Sequence, residues 1–553
     1  MRSGRNANRI GWYLIERLLG YGVHHVFGVP GDYVLGFYDQ LVRSPLQVVN
    51  TCDEQGAGFA ADAYARVRGL GAVCVTYCVG GLKLANTTAE AFAEKSPVVV
   101  ISGAPGIKER FGDPLLHHRV REFDTQKKVF EQLTVASTVL GDPQTALQEI
   151  DRVLGAAHRY KRPVYIELPR DMVNAPGRAG HRVVETCEPT DARVLRAALE
   201  EATAMINAAR RPVIVADVEL HRFGLQDELV ELAEKSGIPV AATILGKSVI
   251  GEHHPFYMGV YEGAMGREDV RAYVEGSDCL ILLGFFMTDV NLGVYTARLE
   301  PSRSICATSE RLSIGYHRYE GVRFEDFVRG LLRAKLRRRR LGAIPRPEPT
   351  AVFQAAHGDK RVSVRRLFEC LNSFLTDDTT VVADVGDALF GAIDLYIRHR
   401  TEFLSPAYYT SLGFAVPAAI GAQLANPRRR PLVVVGDGAF QMTGLELSTA
   451  VRWKLNPIVV VLNNRGYGTE RPMLDGPFND LLPWQYGHVP ALFGAGRGFV
   501  VETEQQLVRA MTEAVRDTRN FSILDVRLDP WDRSPALQRL TERLGQGVRA
   551  TRR

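Results

Sequence analysis

What most limits the fold of this chain is a recurring short apolar run, rich in β-branched residues and closed by a turn. HHVFGVPG (24–31), LQVVNTCDE (46–54), GAVCVTYCVGG (71–81), SPVVVISGAP (96–105) and RPVYIELP (162–169) all have this form. Such runs are too short for membrane helices and do not alternate with polar residues. They suit strands buried on both faces of a parallel sheet. Helix-length segments such as EQGAGFAADAYARVRG (54–69) lie between them. Alternating strand and helix predicts an α/β, doubly wound architecture.

The pattern recurs twice more. A helical stretch from about residue 191 is followed by RPVIVADVEL, IPVAATIL and DCLILLGFF. A last cycle contains TTVVADVGD (379–387), RPLVVVGDG (430–438), NPIVVVLNN (456–464), RGFVVET (497–503) and FSILDVRL (521–528). With 553 residues and roughly 100–200 residues per domain, three doubly wound parallel-sheet domains are expected. Their bounds are 1–185, 190–332 and 361–553, with a charged, proline-bearing linker over 333–360. The basic run RAKLRRRRL (333–341) reads as a solvated part of that linker. Leu537, Leu540 and Leu544 predict a C-terminal helix packed on another surface.

Charge excludes little and suggests no nucleic-acid partner, since 68 basic residues nearly balance 63 acidic ones, for a net +5. Seven scattered cysteines with no CxxC pair argue against a disulfide frame or a structural zinc. Cys74 and Cys78 sit in an apolar run and read as core packing. No apolar run nears the ~18 residues of a membrane helix, and the N-terminus lacks a signal-peptide pattern. A cytoplasmic protein with no membrane partner is the expectation.

The chemistry is carried by residues 436–464. A buried strand ends at Gly436-Asp437-Gly438, and 24 residues later a second ends at Asn463-Asn464. Ligands of parallel sheets gather beyond the carboxyl ends of strands. The Asp437 carboxylate, the Asn464 amide oxygen and the Gly466 carbonyl would offer three hard oxygens, a set suited to octahedral Mg²⁺ beside phosphate. Gly436 and Gly438 allow close approach of a diphosphate to the backbone, ahead of a helix N-terminus. This spacing resembles the motif of thiamine diphosphate enzymes.

The chain is similar to the family of thiamine diphosphate-dependent 2-oxo acid decarboxylases that act on pyruvate, phenylpyruvate or indolepyruvate. The likeness runs through GVPGDY (28–33), DEQGAGFAADAYAR (53–66), EKSPVVVISGAPG (94–106), LLHHRV (115–120), GDGAF, NN and NRGYGTE (464–470). It implies a pyrimidine-binding domain, a middle domain and a diphosphate-binding domain in that order, and a homodimer at minimum, usually a homotetramer. It also implies loss of CO₂ from a 2-oxo acid through a thiazolium ylide and an enamine, with release of an aldehyde.

Residue by residue, the resemblance puts Glu54 at the pyrimidine, Leu412 as the wedge that folds the cofactor, and Asp387, Gly438 and Ala439 near the diphosphate. Asp437, Asn464 and Gly466 become the Mg²⁺ ligands. Asp32, His117, His118 and Glu470 become the proton donors and acceptors. Read locally, Glu54 is also a helix-start acid, Asp387 an N-cap and Asp32 a turn residue. If the segment around His117 and His118 is extended, the two rings face opposite ways and do not share one task.

Pyruvate-specific members carry bulk where this chain has Leu389 and Thr469, and a branched aliphatic where it has Met473, so a larger pocket for an aromatic or long-chain 2-oxo acid is expected. Arg471, beside Glu470, either holds a substrate carboxylate or faces solvent. A carboligase making acyloins or acetolactate-type products is the alternative activity, and a non-catalytic nucleotide- or cofactor-binding protein the alternative class. No GxGxxG follows the middle strands, so no flavin is expected there.

Overall fold

The computed structural model describes residues 8–183, 189–347, 353–356, 359–398 and 402–539. They build three sheets. The first contains β1 (His25–Val29), β2 (Gln47–Asn50), β3 (Gly71–Val75), β4 (Val98–Ala104), β5 (Ala136–Val139) and β6 (Val164–Pro169), in the order β2-β1-β3-β4-β6-β5. Every pairing in it is parallel. The residues of β3, β4 and β6 are buried throughout. That burial is the physical reason their sequences are mostly apolar, with Ser102 and Glu167 the polar exceptions.

The second sheet contains β7 (Pro212–Ala216), β8 (Val240–Ala242), β9 (Tyr257–Val260), β10 (Cys279–Leu283), β11 (Ser304–Ala307), β12 (Leu312–Ile314) and β13 (His317–Tyr319). Its order is β13-β12-β11-β10-β7-β8-β9. It is parallel except at one edge, where β12 and β13 run antiparallel to their neighbours. The Ser-Glu turn between Thr308 and Arg311, closed by a 2.8 Å backbone hydrogen bond, is too short for a crossover helix and can make only this hairpin. The third sheet contains β14 (Thr379–Ala383), β15 (Glu402–Leu404), β16 (Arg430–Gly436), β17 (Ile458–Asn463), β18 (Arg497–Val501) and β19 (Ser522–Arg527). It is all parallel, and its order, β15-β14-β16-β17-β19-β18, repeats that of the first sheet strand for strand.

Two compact units result, and they do not follow the chain order. One gathers the described part of Met1–Cys187 with Phe414–Arg428 and Thr443–Leu455. The other gathers the described parts of Glu188–Gly413, Arg429–Met442 and Asn456–Arg553. The first unit is completed by helix Ala415–Ala425, buried along nearly its whole length, which packs on helix Glu54–Arg68. Both helices are built from alanine and glycine at the crossing. A Cβ on Gly421 would lie 1.9 Å from the Ala60 carbonyl oxygen, so no larger residue fits there.

The basic run 333–341 is not the freely solvated linker its composition suggests. The Arg339 N–H donates to the Ser236 carbonyl at 2.9 Å, and its guanidinium donates to the Ala209 carbonyl at 3.1 Å and to that of Ile206. Satisfying those helix-end carbonyls holds the segment against the second sheet's helices. Helix appears at Pro535–Arg539. The rest of the expected C-terminal helix, including Leu540 and Leu544, lies outside the described residues, as does Cys187. The six described cysteines are free, and no described helix is long and apolar enough to cross a membrane.

One buried charge cluster stands out in the first unit. Arg66 pairs with Asp62 at 2.8 Å, Glu94 at 2.9 Å and Glu90 at 3.7 Å, all with side chains at most 2% exposed. Its guanidinium also lies 4.9 Å from the Phe414 ring centroid. Removing the cation strands three acids away from water. Arg66→Met should therefore lower stability by about 3–5 kcal/mol, read as a shift of the urea unfolding midpoint by circular dichroism.

Candidate active site

In the first unit the loop after β1 carries Asp32, and the 3.4 Å-distant partner of its neighbour is a histidine: Tyr33 Oη lies that far from His117 Nδ1. His117 Nε2 is 2.8 Å from Asp32 Oδ2, and His118 Nε2 is 3.9 Å from Asp32 Oδ1. The extended segment expected here does not form. His118 adopts φ 65°, the left-handed conformation, and this turn swings the second ring to the same side as the first. The two rings lie 4.7 Å apart and both face one carboxylate. His117 stacks on Tyr33, centroids again 4.7 Å apart.

Arg170, directly beyond the end of β6, approaches Asp32 to 3.8 Å and is clamped by Glu109. Its guanidinium lies over the Tyr33 ring at 5.0 Å. Burial, then the nearby Asp32 charge, raises the Tyr33 hydroxyl above its ordinary pKa, so it stays protonated. The ligand atoms of Asp32, His117 and His118 all fall within 4.8 Å of one another. Tyr33, Arg170 and Glu109 are not evident from sequence. Arg170 had one usable signal, its place just past a strand's carboxyl end.

Glu54 opens helix Glu54–Arg68, capped by the Asp53 carboxylate on the Gln55 N–H at 2.8 Å. The turn before it is held from far along the chain. Glu446, 2% exposed, accepts the Cys52 N–H at 3.0 Å, the Asp53 N–H at 3.1 Å and the Thr449 hydroxyl at 2.9 Å. Burial raises the Glu446 carboxyl pKa and these bonds counter it. Lys83 contacts both Asp53 and Glu54, the latter at 2.9 Å. Nothing local in the sequence marks Glu446 or Lys83 as partners of Glu54.

In the second unit β16 and β17 are adjacent and parallel, with Gly436 opposite Leu462. Asp437 and Asn464 therefore emerge beyond neighbouring strand ends. Of the two asparagines, Asn463 turns into the sheet and donates to Asp525 Oδ1 at 2.7 Å, leaving Asn464 outside it. The Asp437 carboxylate, 2% exposed, accepts the N–H groups of Gly438 at 2.8 Å and Gly466 at 3.2 Å. Gly466 thus turns its N–H toward Asp437, whereas its expected ligand atom is the carbonyl. Burial pushes the Asp437 carboxyl up to about 6. A Cβ on Gly438 would come within 2.7 Å of the Tyr467 ring, and Ala439 beside it is 1% exposed.

The other expected site residues of this unit fall at two places. Asp387 begins helix Asp387–Ile393 after Gly386 (φ 86°) and accepts the Ser534 N–H at 2.9 Å. Thr469 borders that same turn, 3.7 Å from a Cβ on Gly386, while Leu389 is buried in the apolar core. Residues 467–474 form hydrogen-bonded turns, with the Met473 N–H on the Glu470 carbonyl at 2.9 Å. Glu470 is exposed there and Met473 half-buried. Leu412 is a half-buried turn residue before helix Ala415–Ala425. Arg471 neither reaches into solvent nor stands free for a substrate. It is buried and paired with Asp475 at 2.9 Å and Asp480 at 2.7 Å, which lock the turn carrying Glu470.

Comparison with known proteins agrees with this layout. Residues 8–128 match the N-terminal TPP binding domain of thiamine pyrophosphate enzymes, 199–332 their central domain and 377–526 their C-terminal TPP binding domain. An indole-3-pyruvate decarboxylase of Azospirillum brasilense is 36% identical over 96% of this chain and 97% of its own length. The chain belongs to the thiamine diphosphate-dependent 2-oxo acid decarboxylase family. An alpha-keto-acid decarboxylase of Mycobacterium avium is 33% identical over 94% of each chain, and a probable pyruvate decarboxylase of Schizosaccharomyces pombe 30% identical over 96% and 94%.

The residues present fit the family's cofactor. Asp437 is a buried carboxylate with backbone donors but no ion-pair partner among the described residues, the arrangement a divalent cation completes. A Cβ on Gly436 would meet nothing within 4 Å, so the backbone there stands open to a diphosphate.

Asp387 gives this family member a pH signature. Burial lifts its carboxyl to about 6, against about 3.9 in the unfolded chain. The folded state thus favours the protonated form, and stability from this group is lost as pH rises from about 4 through 6. Without cofactor, Asp387→Asn should melt above the parent at pH 7.5, with the gap narrowing through pH 5 and closing below about pH 4, as calorimetry would record.

Proposed function

We propose that this protein decarboxylates a bulky aromatic or long-chain 2-oxo acid, such as phenylpyruvate or indolepyruvate, to an aldehyde and CO₂. The cofactors in this reading are thiamine diphosphate and Mg²⁺. Asp437, Asn464 and the Gly466 carbonyl would hold the metal, Asp387, Gly438 and Ala439 would adjoin the diphosphate, and Leu412 would support the folded cofactor. In the same reading the parts 1–185, 190–332 and 361–553 are the pyrimidine-binding, middle and diphosphate-binding domains, in a homodimer or homotetramer.

When bound, the cofactor supplies the sink for the electron pair left by departing CO₂. Everything else falls to the chain. Glu54, held at its helix start by Glu446, offers a carboxylate to the ring nitrogen of an aminopyrimidine and takes or gives the proton there. The observation that carries the decarboxylase reading is Asp32 with His117 at 2.8 Å and His118 at 3.9 Å. A carboxyl shared by two imidazoles can deliver a proton to the substrate carbon and be reloaded from solvent, which aldehyde release needs. Glu470 provides a second carboxyl, on a turn that Arg471 stiffens. Leu389, Thr469 and Met473 are smaller or more pliable than the bulky residues of pyruvate-specific relatives, and the indole-3-pyruvate decarboxylase likeness points the same way.

Kinetics on a 2-oxo acid panel with Mg²⁺ and thiamine diphosphate test this. The expected result is aldehyde and CO₂ in equal amounts, with kcat/KM higher for phenylpyruvate or indolepyruvate than for pyruvate. A preference for pyruvate would overturn the pocket reading, and acyloin as the main product would make the carboligase alternative correct. Glu54→Gln, His117→Ala and His118→Ala should each lower kcat by roughly 10²–10⁴-fold.

A further inference from the structure

Away from these residues, the second unit contains a recess of about 150 Å³ whose charged lining is Lys247, Glu252, Glu262, Arg267, Asp394 and Arg539. Three of the six are already satisfied. Lys247 Nζ is 2.6 Å from Glu252 Oε1, and the Ile397 N–H donates to Glu252 Oε2 at 3.1 Å. Arg267 is held by Asp269 and by the Arg346 carbonyl at 2.9 Å.

The other three are not. Glu262 is 3% exposed, and its Oε1 has no hydrogen-bond partner. Asp394 opens onto the same recess without an ion pair among the described residues. Arg539 uses its Nε on the Met265 carbonyl at 2.7 Å and makes no ion pair with a described carboxylate. Burial lifts the Glu262 carboxyl to about 7, with Arg539 opposing that and Asp394 adding to it. An acid oxygen buried without a donor is costly, and a built site resolves that cost by binding one.

The arrangement selects the donor. A bare cation would satisfy the two acids but be repelled by Arg539. A plain carboxylate would suit Arg539 and leave Glu262 unmet. A molecule with both groups satisfies all three. A cavity of this size holds about six heavy atoms, as a benzene-sized ligand shows, which is the count in alanine. We propose that this recess binds a small α-amino acid, with its ammonium group on Glu262 and Asp394 and its carboxylate on Arg539. Such a ligand differs from a 2-oxo acid at one carbon, ammonium replacing carbonyl, so the recess would sense the amine counterparts of the enzyme's substrate class. The binding itself does not depend on the decarboxylase reading.

Titration calorimetry of the holoenzyme with L-alanine, propionate and ethylamine is the test. L-alanine should bind saturably, and propionate and ethylamine roughly 10–100-fold more weakly, the weight of a charged hydrogen bond. Glu262→Gln and Arg539→Gln should each weaken L-alanine by the same factor while decarboxylation and Tm hold. If Glu262→Gln fails to fold, Arg539→Gln and Asp394→Asn carry the comparison. Absence of saturable L-alanine binding, unchanged affinity in the variants, or ethylamine binding as tightly as L-alanine would each overturn the assignment.

Discussion

The Glu446 carboxylate gripping the N–H groups of Cys52 and Asp53 is the contact on which the start of helix Glu54–Arg68 depends. Those two amides precede a helix start, where backbone donors have no partner of their own. Left to water they would let the turn fray, and Glu54 would lose its fixed direction. The acceptor is provided by a residue almost four hundred positions further on, beside the alanine-rich helix that buries Glu54–Arg68. Fixing the direction of Glu54 and closing a hydrophobic core are here one structural event.

The parallel sheets impose the second constraint. Since strands run the same way, their carboxyl ends share an edge, and the loops there collect the polar residues. Asp32 follows β1, Arg170 follows β6, Asp437 follows β16 and Asn464 follows β17. This common rule explains why two sheets of identical strand order can both present reactive side chains. In the second sheet, Asp217 follows β7, yet it is consumed by local bonds to Val218, Thr243, Phe286 and Asn291. That edge is neutralised by its own loops.

How much of this was legible in the sequence depends on the range of the forces involved. Strands, crossover helices and the GDG and NN turns are encoded locally, and the family likeness rests on them. The helix that opens on Glu54 could be read directly. The roles of Glu446, Lys83 and Arg170 could not, because each depends on a contact between residues distant in the chain. His117 and His118 illustrate the limit most clearly. Alternation along an extended strand predicts opposed rings, but one residue in the left-handed conformation reverses the outcome, and no pattern in DPLLHHRV announces it. Arg471 shows the same limit, since its two acid partners lie on a turn whose closure only the fold supplies. The basic run at 333–341 looked like solvated charge because composition does not reveal unfilled helix-end carbonyls.

The packing of helix Ala415–Ala425 on Glu54–Arg68 also sets an order of events during synthesis. At about 5–20 residues per second, the partner helix leaves the ribosome roughly 20–70 s after Glu54–Arg68. Through that interval the alanine–glycine face around Ala60, and the ionic cluster of Arg66 beside it, must wait uncovered. A nascent chain in that state presents an apolar surface of small residues with charges at its margin. The first sheet is made early and finished late.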